Sequence, residues 1–449
     1  MIDRPPAWVA DAAGGTLVSG GPEGPGPARA VVDSRELEPG DLFVGLRGER
    51  ADGGGFAAAA LRDGAWGALV SAEWADRLVT EAPESDRRPA VIACPEPLAG
   101  LGALARAWRR EVGCPLAGIT GSTGKTSTKD ILAAILAPSK RVHANRQNFN
   151  TEVGLPLSLL EAGPDTEVLV LEMAMRGSGQ IAELVAIAEP QVGVIVNVGP
   201  VHLELVGTVE GVARAKAELI RDLPAGAACV VPAGERLLAD HLRADLDTIT
   251  FGEGGDVRLL SFDEGRAEID ARGERVSLEL AYDQPHNLLN TLAATAAAVA
   301  LGVRPEGLVE PSFSRLRGEI VETAAGVRVI NDCYNANPMS MCAALEHLAM
   351  FGDGRKVAVL GGMAELGPDA PRYHRELGEH AEELGVDVLI TVGEMALPIA
   401  EGFDGETYAA ASPEEAGELL EEVADAGDSV LVKGSRSVGL ERVLEPSHA

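Results

Sequence analysis

The segment GSTGKTSTKD, residues 121–130, follows the strand-like run PLAGIT and precedes the apolar, helix-forming ILAAIL. A glycine loop between a strand and a helix aims backbone N–H groups and a helix N-terminus at an anion. Gly121, Ser122, Thr123, Gly124, Lys125, Thr126 and Ser127 are therefore expected to cradle the phosphates of ATP or another nucleoside triphosphate. In that arrangement Lys125 reaches the β/γ oxygens and Thr126 offers its hydroxyl to Mg²⁺. The match to the usual G-x-x-x-x-G-K-[ST] loop is incomplete, because its first glycine would fall at Ile119. The competing reading is a glycine-rich turn arising by chance, and the strand before and helix after weigh against it.

Two further polar residues end apolar runs: Glu172 after VLVL, and His202 after VIVNVGPV. At the carboxyl edge of a parallel sheet a carboxylate can face the phosphate loop and help to hold a metal. Taken singly, a glutamate there is as often a capping or solvated residue, and a histidine is more often structural. Their placement after successive core strands favours function. Lys216 lies in GTVEGVARAKAELIRDL, a stretch of helical period in which, on spacing alone, a lysine would be solvated.

The elements that must position these groups follow from length and patterning. A chain of 449 residues is too long for one ordinary core, and divides into about three domains of roughly 150 residues. The runs ARAVVDS, GDLFVGL, WGALVSA and PAVIAC, separated by turn signals and Ala-rich stretches, predict a small α/β domain over residues 1–95. From there to residue 312 the pattern becomes strand, glycine loop, helix. The continuous apolar strands EVLVLE and VGVIVNV suit a parallel sheet covered on both faces. The helix beginning HNLLNTLAATAAAVA at His286 and ending at Gly302 closes this domain. Residues 313–449 carry the strands VRVIND, KVAVLGG, VDVLITV and SVLVKG between helix-length segments, a third α/β unit.

The charge of −31, from 38 basic and 69 acidic residues, would repel phosphate backbones and anionic lipids, so neither nucleic acid nor membrane insertion is expected. A bound nucleotide then needs locally concentrated cations such as Lys125, Arg317 and Lys433. Cys94, Cys114, Cys229, Cys333 and Cys342 are scattered and lack C-x-x-C spacing, so they read as reduced thiols. No leader pattern or long apolar run is present, and the expected location is the cytoplasm.

The segments TGSTGKTS, NFNTEVGLPLSLL, EMAMRGSGQI, HLELVGTVEGVARAKAEL, HNLLNTLAA, NDCYNANPMSM and VKGSRS resemble, in order and spacing, the Mur ligase family over nearly the whole chain. YNANP, LGGMAELG and KGSR are similar to the branch that adds D-alanyl-D-alanine. The third-step amino-acid-adding branch carries a YAHTP-like segment instead. The resemblance implies three domains: one for the UDP-sugar end of a UDP-N-acetylmuramoyl-tripeptide, a central ATPase, and a Rossmann-like C-terminal domain. It implies that Ser34 and Arg35 help to hold the uridine end. It makes Glu172 and His202 magnesium ligands, and Lys216 a lysine carbamylated by carbon dioxide to support a second Mg²⁺. His286, Asn287 and Asn290 fall in the HNxxN segment, where Asn290 approaches the adenine, while Arg317, Asp332, Tyr334 and Asn335 complete the nucleotide site on closure. Asn148, Asn150, Thr151, Asn337, Lys433 and Ser435 fall to substrate binding, and Lys125, Lys216 and His202 to catalysis. The chain departs from the family at Gly54, where relatives usually have His, and at Gly362, where they usually have Asp.

The resemblance implies an ADP-forming ligase that activates a peptide carboxylate as an acyl phosphate, in a protein expected to be monomeric. Rival readings are another ligase of the same architecture, such as a folylpolyglutamate synthase, and a binding protein that uses ATP only as a switch. The base that deprotonates the amine is open between His202 and the substrate's own phosphate.

Overall fold

A computed structural model describes residues 4–81, 88–146, 148–323 and 325–444. The outer ends of the first and third expected domains, residues 1–3 and 445–449, lie outside that range. Among the described residues the chain forms sheets of five, ten and six strands, each built from one continuous stretch of sequence. The first orders Thr16–Ser19, Ala90–Ala93, Gly67–Val70, Leu42–Val44 and Ala30–Val31, parallel except for the Thr16–Ser19 edge. The edge strand TLVS went unread in the sequence because it carries only two large apolar residues.

The second sheet is parallel through the predicted strands Leu116–Thr120, Val168–Glu172 and Val192–Ile195, and also through Val142–Ala144, Ala228–Pro232 and Asp247–Phe251, which the sequence reading did not pick out. Alternation along one strand shows why it is apolar throughout. Val168 and Val170 join the cluster under helices Lys125–Leu136 and Pro285–Ala300, and Leu169 and Leu171 join the cluster on the opposite face. The sheet then departs from the expected pattern. Val257–Asp263, Arg266–Ala271 and Glu274–Leu280 extend it as an antiparallel ribbon. Its two-residue turns, Glu264–Gly265 and Arg272–Gly273, have positive φ at both positions, the hairpin geometry that matches strand twist. Apart from Leu259 and Leu260 the exposed positions of this ribbon are mostly polar, so its strands lack the continuous apolar signature of the inner ones.

Helix Pro285–Ala300 agrees with the expected helix to within a residue at its start and is capped by Leu301. Its buried alanines 293, 294, 296, 297 and 298 are small enough for it to lie against the phosphate-loop helix. The third sheet orders Glu319–Glu322, Arg328–Asn331, Ser429–Lys433, Lys356–Gly361, Val388–Val392 and Glu406–Ala410, parallel apart from its first strand. One apolar cluster runs from the first sheet through helix Pro97–Val112 into the second unit and on to Ile330 and Leu431 of the third. That helix touches helix Pro6–Ala12 on one side and helices Gly154–Glu161 and Gln180–Ala188 on the other. All five cysteines are free; only Cys342 is not fully buried. Among the described residues no helix is long and apolar enough to cross a membrane.

Candidate active site

The phosphate loop leaves the buried strand Leu116–Thr120, so Ile119, where the usual loop has its first glycine, lies within the strand. Gly124 caps the following helix at φ +75°, and a Cβ there would stand 2.5 Å from Asn290 Oδ1. Position 124 must be glycine on both counts. The loop is also tied down. Ser122 and Thr123 each donate a backbone N–H to Asn197 Oδ1, at 3.0 and 2.9 Å, and the Ser122 hydroxyl donates to the Gly199 carbonyl at 3.1 Å. Lys125 Nζ donates to the Gly121 carbonyl at 2.9 Å. Burial holds the Lys125 ammonium below its ordinary pKa; the Glu172 carboxylate opposes that shift and Arg317 adds to it.

Thr126 and Glu172 form the oxygen-rich corner. Thr126 Oγ1 donates to Glu172 Oε2 at 2.7 Å, and Asn150 Nδ2 donates to Oε1 at 2.8 Å. Both carboxylate oxygens are thus aimed beside the loop by neutral donors. Lys216, last residue of helix Val209–Lys216, is 2% exposed. Burial, and then the charge of Lys125, push its pKa well below the ordinary lysine value. Solvation, the outcome that spacing alone favours, is overturned, because the helix turns Lys216 into the protein and not to water. His202 does not line the cavity that Thr126 and Glu172 line, yet it lies near enough to Lys125 and Lys216 to feel their charge. Its Nδ1 forms a short hydrogen bond with Glu365 of the third unit, and both residues take left-handed backbone conformations, φ +53° and +62°. Burial lowers the His202 pKa, against the pull of Glu365.

A cavity of about 270 Å³ lies between the second and third units. Its second-unit wall carries residues 122–127, Glu172, Asn197, Gln284, His286, Asn287 and Asn290. The third unit supplies Arg317, Asp332, Asn335, Asn337, Met339, His347 and Lys433. The Arg317 guanidinium lies 4.2 Å over the Tyr334 ring, and its buried Nε has no hydrogen-bond partner. An orphaned cationic donor opposite a phosphate-type loop fits an anion. The hydroxyl and carboxylate of Thr126 and Glu172 are the hard oxygen donors that Mg²⁺ takes. Lys433, a candidate cation for substrate, is already engaged: its Nζ bonds Asp332 Oδ2 at 2.6 Å and the Asn335 carbonyl at 2.9 Å.

Other candidates lie off this cavity. Ser34 and Arg35 begin a short helical turn in the first unit, where the Arg35 side chain is 88% exposed and pairs with Asp33, whose pKa falls to about 2. Asn148 and Thr151 are exposed beside Asn150. Ser435 accepts from Ala364 N at 2.8 Å, holding the LGGMAELG turn. Gly121 and Tyr334 support the lining without being part of it. Sequence reasoning missed Asn197, Met339, His347 and Glu365. Asn197 alone left a trace, as the polar residue that ends the apolar run VGVIV.

Comparison with known proteins agrees with this geometry. Residues 119–298 match the Mur ligase middle domain, and residues 316–436 match the Mur ligase, glutamate ligase domain. The chain is 35% identical to the UDP-N-acetylmuramoyl-tripeptide--D-alanyl-D-alanine ligase of Bacillus subtilis, over 99% of this chain and 98% of that protein. The corresponding Escherichia coli ligase is 30% identical over 92% of each chain. Among solved structures, a MurF ligase from Thermotoga maritima in complex with ADP superposes with a TM-score of 0.81 at 34% identity, covering 93% of this chain and 96% of that one.

Proposed function

This chain belongs to the Mur ligase family, and from that premise we infer that it is an ADP-forming amide ligase joining D-alanyl-D-alanine to UDP-N-acetylmuramoyl-tripeptide in the synthesis of peptidoglycan precursor. The observation that carries the reading is the shared cavity, where the phosphate loop and Glu172 of one unit face Arg317 of the next, whose buried Nε has no hydrogen-bond partner.

Forming an amide from a carboxylate in water is uphill, because oxide is a very poor leaving group. In the proposed reaction a carboxylate oxygen of the tripeptide attacks the γ-phosphorus of ATP in line and ADP departs. Lys125 and Arg317 bind and orient the phosphates and stabilise the charge that spreads over the transferring group. When bound, two Mg²⁺ ions would neutralise phosphate charge; Thr126, Glu172 and His202 would serve as magnesium ligands, and carbamylated Lys216 would support the second ion. The amine of D-alanyl-D-alanine then adds to the acyl carbon; the tetrahedral adduct expels phosphate, and the amine loses its proton. An acyl phosphate hydrolyses readily, so the third unit, closing over the cavity, excludes water.

In this assignment residues 1–95 hold the UDP-sugar end through Ser34 and Arg35, residues 96–312 hold ATP, and residues 313–449 close on ATP and bind D-alanyl-D-alanine. Asn148, Asn150, Thr151, Asn337, Lys433 and Ser435 serve the peptide substrates, and Asn290, Asp332, Tyr334 and Asn335 the nucleotide. The protein acts as a cytoplasmic monomer.

The deciding experiment is ADP release with UDP-N-acetylmuramoyl-tripeptide, comparing D-alanyl-D-alanine with single amino acids as acceptor. Release dependent on both peptides is expected; release without acceptor, or with a single amino acid alone, refutes the assignment.

A further inference from the structure

We propose that Lys129 and Asn145 are positioning residues that fix where the Glu172 carboxylate stands relative to the phosphate loop, and so set the site's affinity for a divalent cation. The inference rests on the reading of Thr126 and Glu172 as cation ligands.

Lys129 follows Lys125 by one helical turn, yet points inward and is 3% exposed. A buried ammonium costs several kcal/mol unless it is fully bonded. This one donates to the Asn145 carbonyl at 2.7 Å and pairs with Asp130 Oδ1 at 3.0 Å. Asp130 Oδ2 is buried with no partner, so the pair is not an economical way to fill a core. Well-packed apolar residues would stabilise the helix at least as well.

Asn145, 1% exposed, holds both backbone polar groups of Glu172: its Oδ1 accepts from Glu172 N at 2.8 Å and its Nδ2 donates to the Glu172 carbonyl at 3.0 Å. Nδ2 also reaches the Phe149 carbonyl at 2.8 Å. The Glu172 side chain in turn accepts from Thr126, three residues before Lys129 on the same helix. These contacts close a ring: helix, Lys129, Asn145, Glu172, Thr126, helix. Exchanging the Thr126 hydrogen bond for a cation changes only the carboxylate end of that ring. The backbone under Glu172 stays pinned by Asn145, and Asn145 stays pinned by Lys129. Groups that orient a metal ligand in this way typically alter metal affinity by about tenfold to a hundredfold.

The test uses the full-length protein saturated with ADP, with Mn²⁺ titrated in and free ion followed by paramagnetic resonance. Lys129→Met and Asn145→Ala are each expected to raise the Mn²⁺ Kd by about tenfold. The ADP Kd without metal should stay within about twofold, and Lys129→Arg should recover part of the loss. An unchanged Mn²⁺ Kd, or one that rises only in step with the metal-free ADP Kd, overturns the proposal. If Lys129→Met does not fold, the Lys129→Met/Asp130→Asn pair removes the charge left behind, and Asn145→Ala decides independently. Glu172→Gln separates the two layers. If it leaves Mn²⁺ binding intact, the ligand assignment itself is wrong; if it weakens binding and the Lys129 and Asn145 variants do not, only the positioning role fails.

Discussion

Lys125 opens the helix after a loop that Asn197 and Gly199 tie down in addition to its own Nζ bond to the Gly121 carbonyl. Removing it should therefore separate chemistry from folding. Lys125→Ala is expected to lower ADP formation by at least about a hundredfold, as for other lost transition-state donors, while stability changes by no more than about 1 kcal/mol. Turnover and a urea midpoint measure the two; normal turnover would remove the phosphate-loop assignment. A second residue-scale prediction comes from the departures at Gly54 and Gly362. A Cβ at 54 would fall 2.1 Å from the Trp74 ring, and one at 362 would fall 2.7 Å from Met395 Cβ. Trp74 and Met395 fill the space that a side chain at 54 or 362 would need. Gly362→Asp alone should cost about 1–3 kcal/mol through overpacking, and Met395→Gly, which removes the Met395 Cβ, Cγ and Sδ that crowd it, should return more of it than Met395→Ala in double-mutant cycles. The phosphate loop was legible in the sequence because its chemistry is contiguous, seven neighbouring residues between a strand and a helix. Asn197, Asn145 and Glu365 were not, since each acts on a residue 27 to 163 positions away and nothing local marks the partner.

Elements explain what holds the LGGMAELG turn, and they make it sensitive to pH. Helix Ala370–Glu383 buries His374, whose Nε2 accepts from Met363 N at 2.8 Å while Nδ1–H donates to the Ala370 carbonyl at 2.6 Å. Protonation would set an N–H against the Met363 N–H, and burial accordingly pushes the His374 pKa below 6.5. A histidine lowered in the folded state binds more protons when unfolded. Its stabilising contribution is therefore complete above pH 6.5 and declines as pH falls from there towards the lowered folded value. The urea midpoint should drop over that window, and His374→Gln should flatten the drop. An unaltered slope would show that His374 does not titrate with folding. Element by element, the inner strands were readable because burial on both faces makes them wholly apolar. The antiparallel ribbon from Val257 to Leu280 was not, because polar residues interrupt every strand and Val257–Asp263 is exposed along most of its length. Lys216 shows the same limit in a helix, where periodicity marks one face of a cylinder but not which neighbour will cover it.

At the scale of the molecule, the net charge of −31 leaves few cations to meet a nucleotide, and the fold gathers Lys125, Arg317 and Lys433 from two units around one cavity. Lys433 is spent on Asp332, which leaves Lys125 on one wall and Arg317 on the other as the cations available to phosphate. Nucleotide binding should then join the second and third units energetically as well as spatially. At 100 times its Kd a ligand that binds only the folded state stabilises it by about 2.7 kcal/mol. If both walls contribute, ADP should slow amide exchange in helix Lys125–Leu136 and equally in strand Arg328–Asn331 and helix Pro338–Met350, and leave the first sheet unchanged. Arg317→Ala should abolish the protection in the third unit while sparing part of that around Lys125. Protection confined to the second unit in the wild-type protein would mean that ADP is gripped by the phosphate loop alone, and that the wall carrying Arg317 takes no part in holding it.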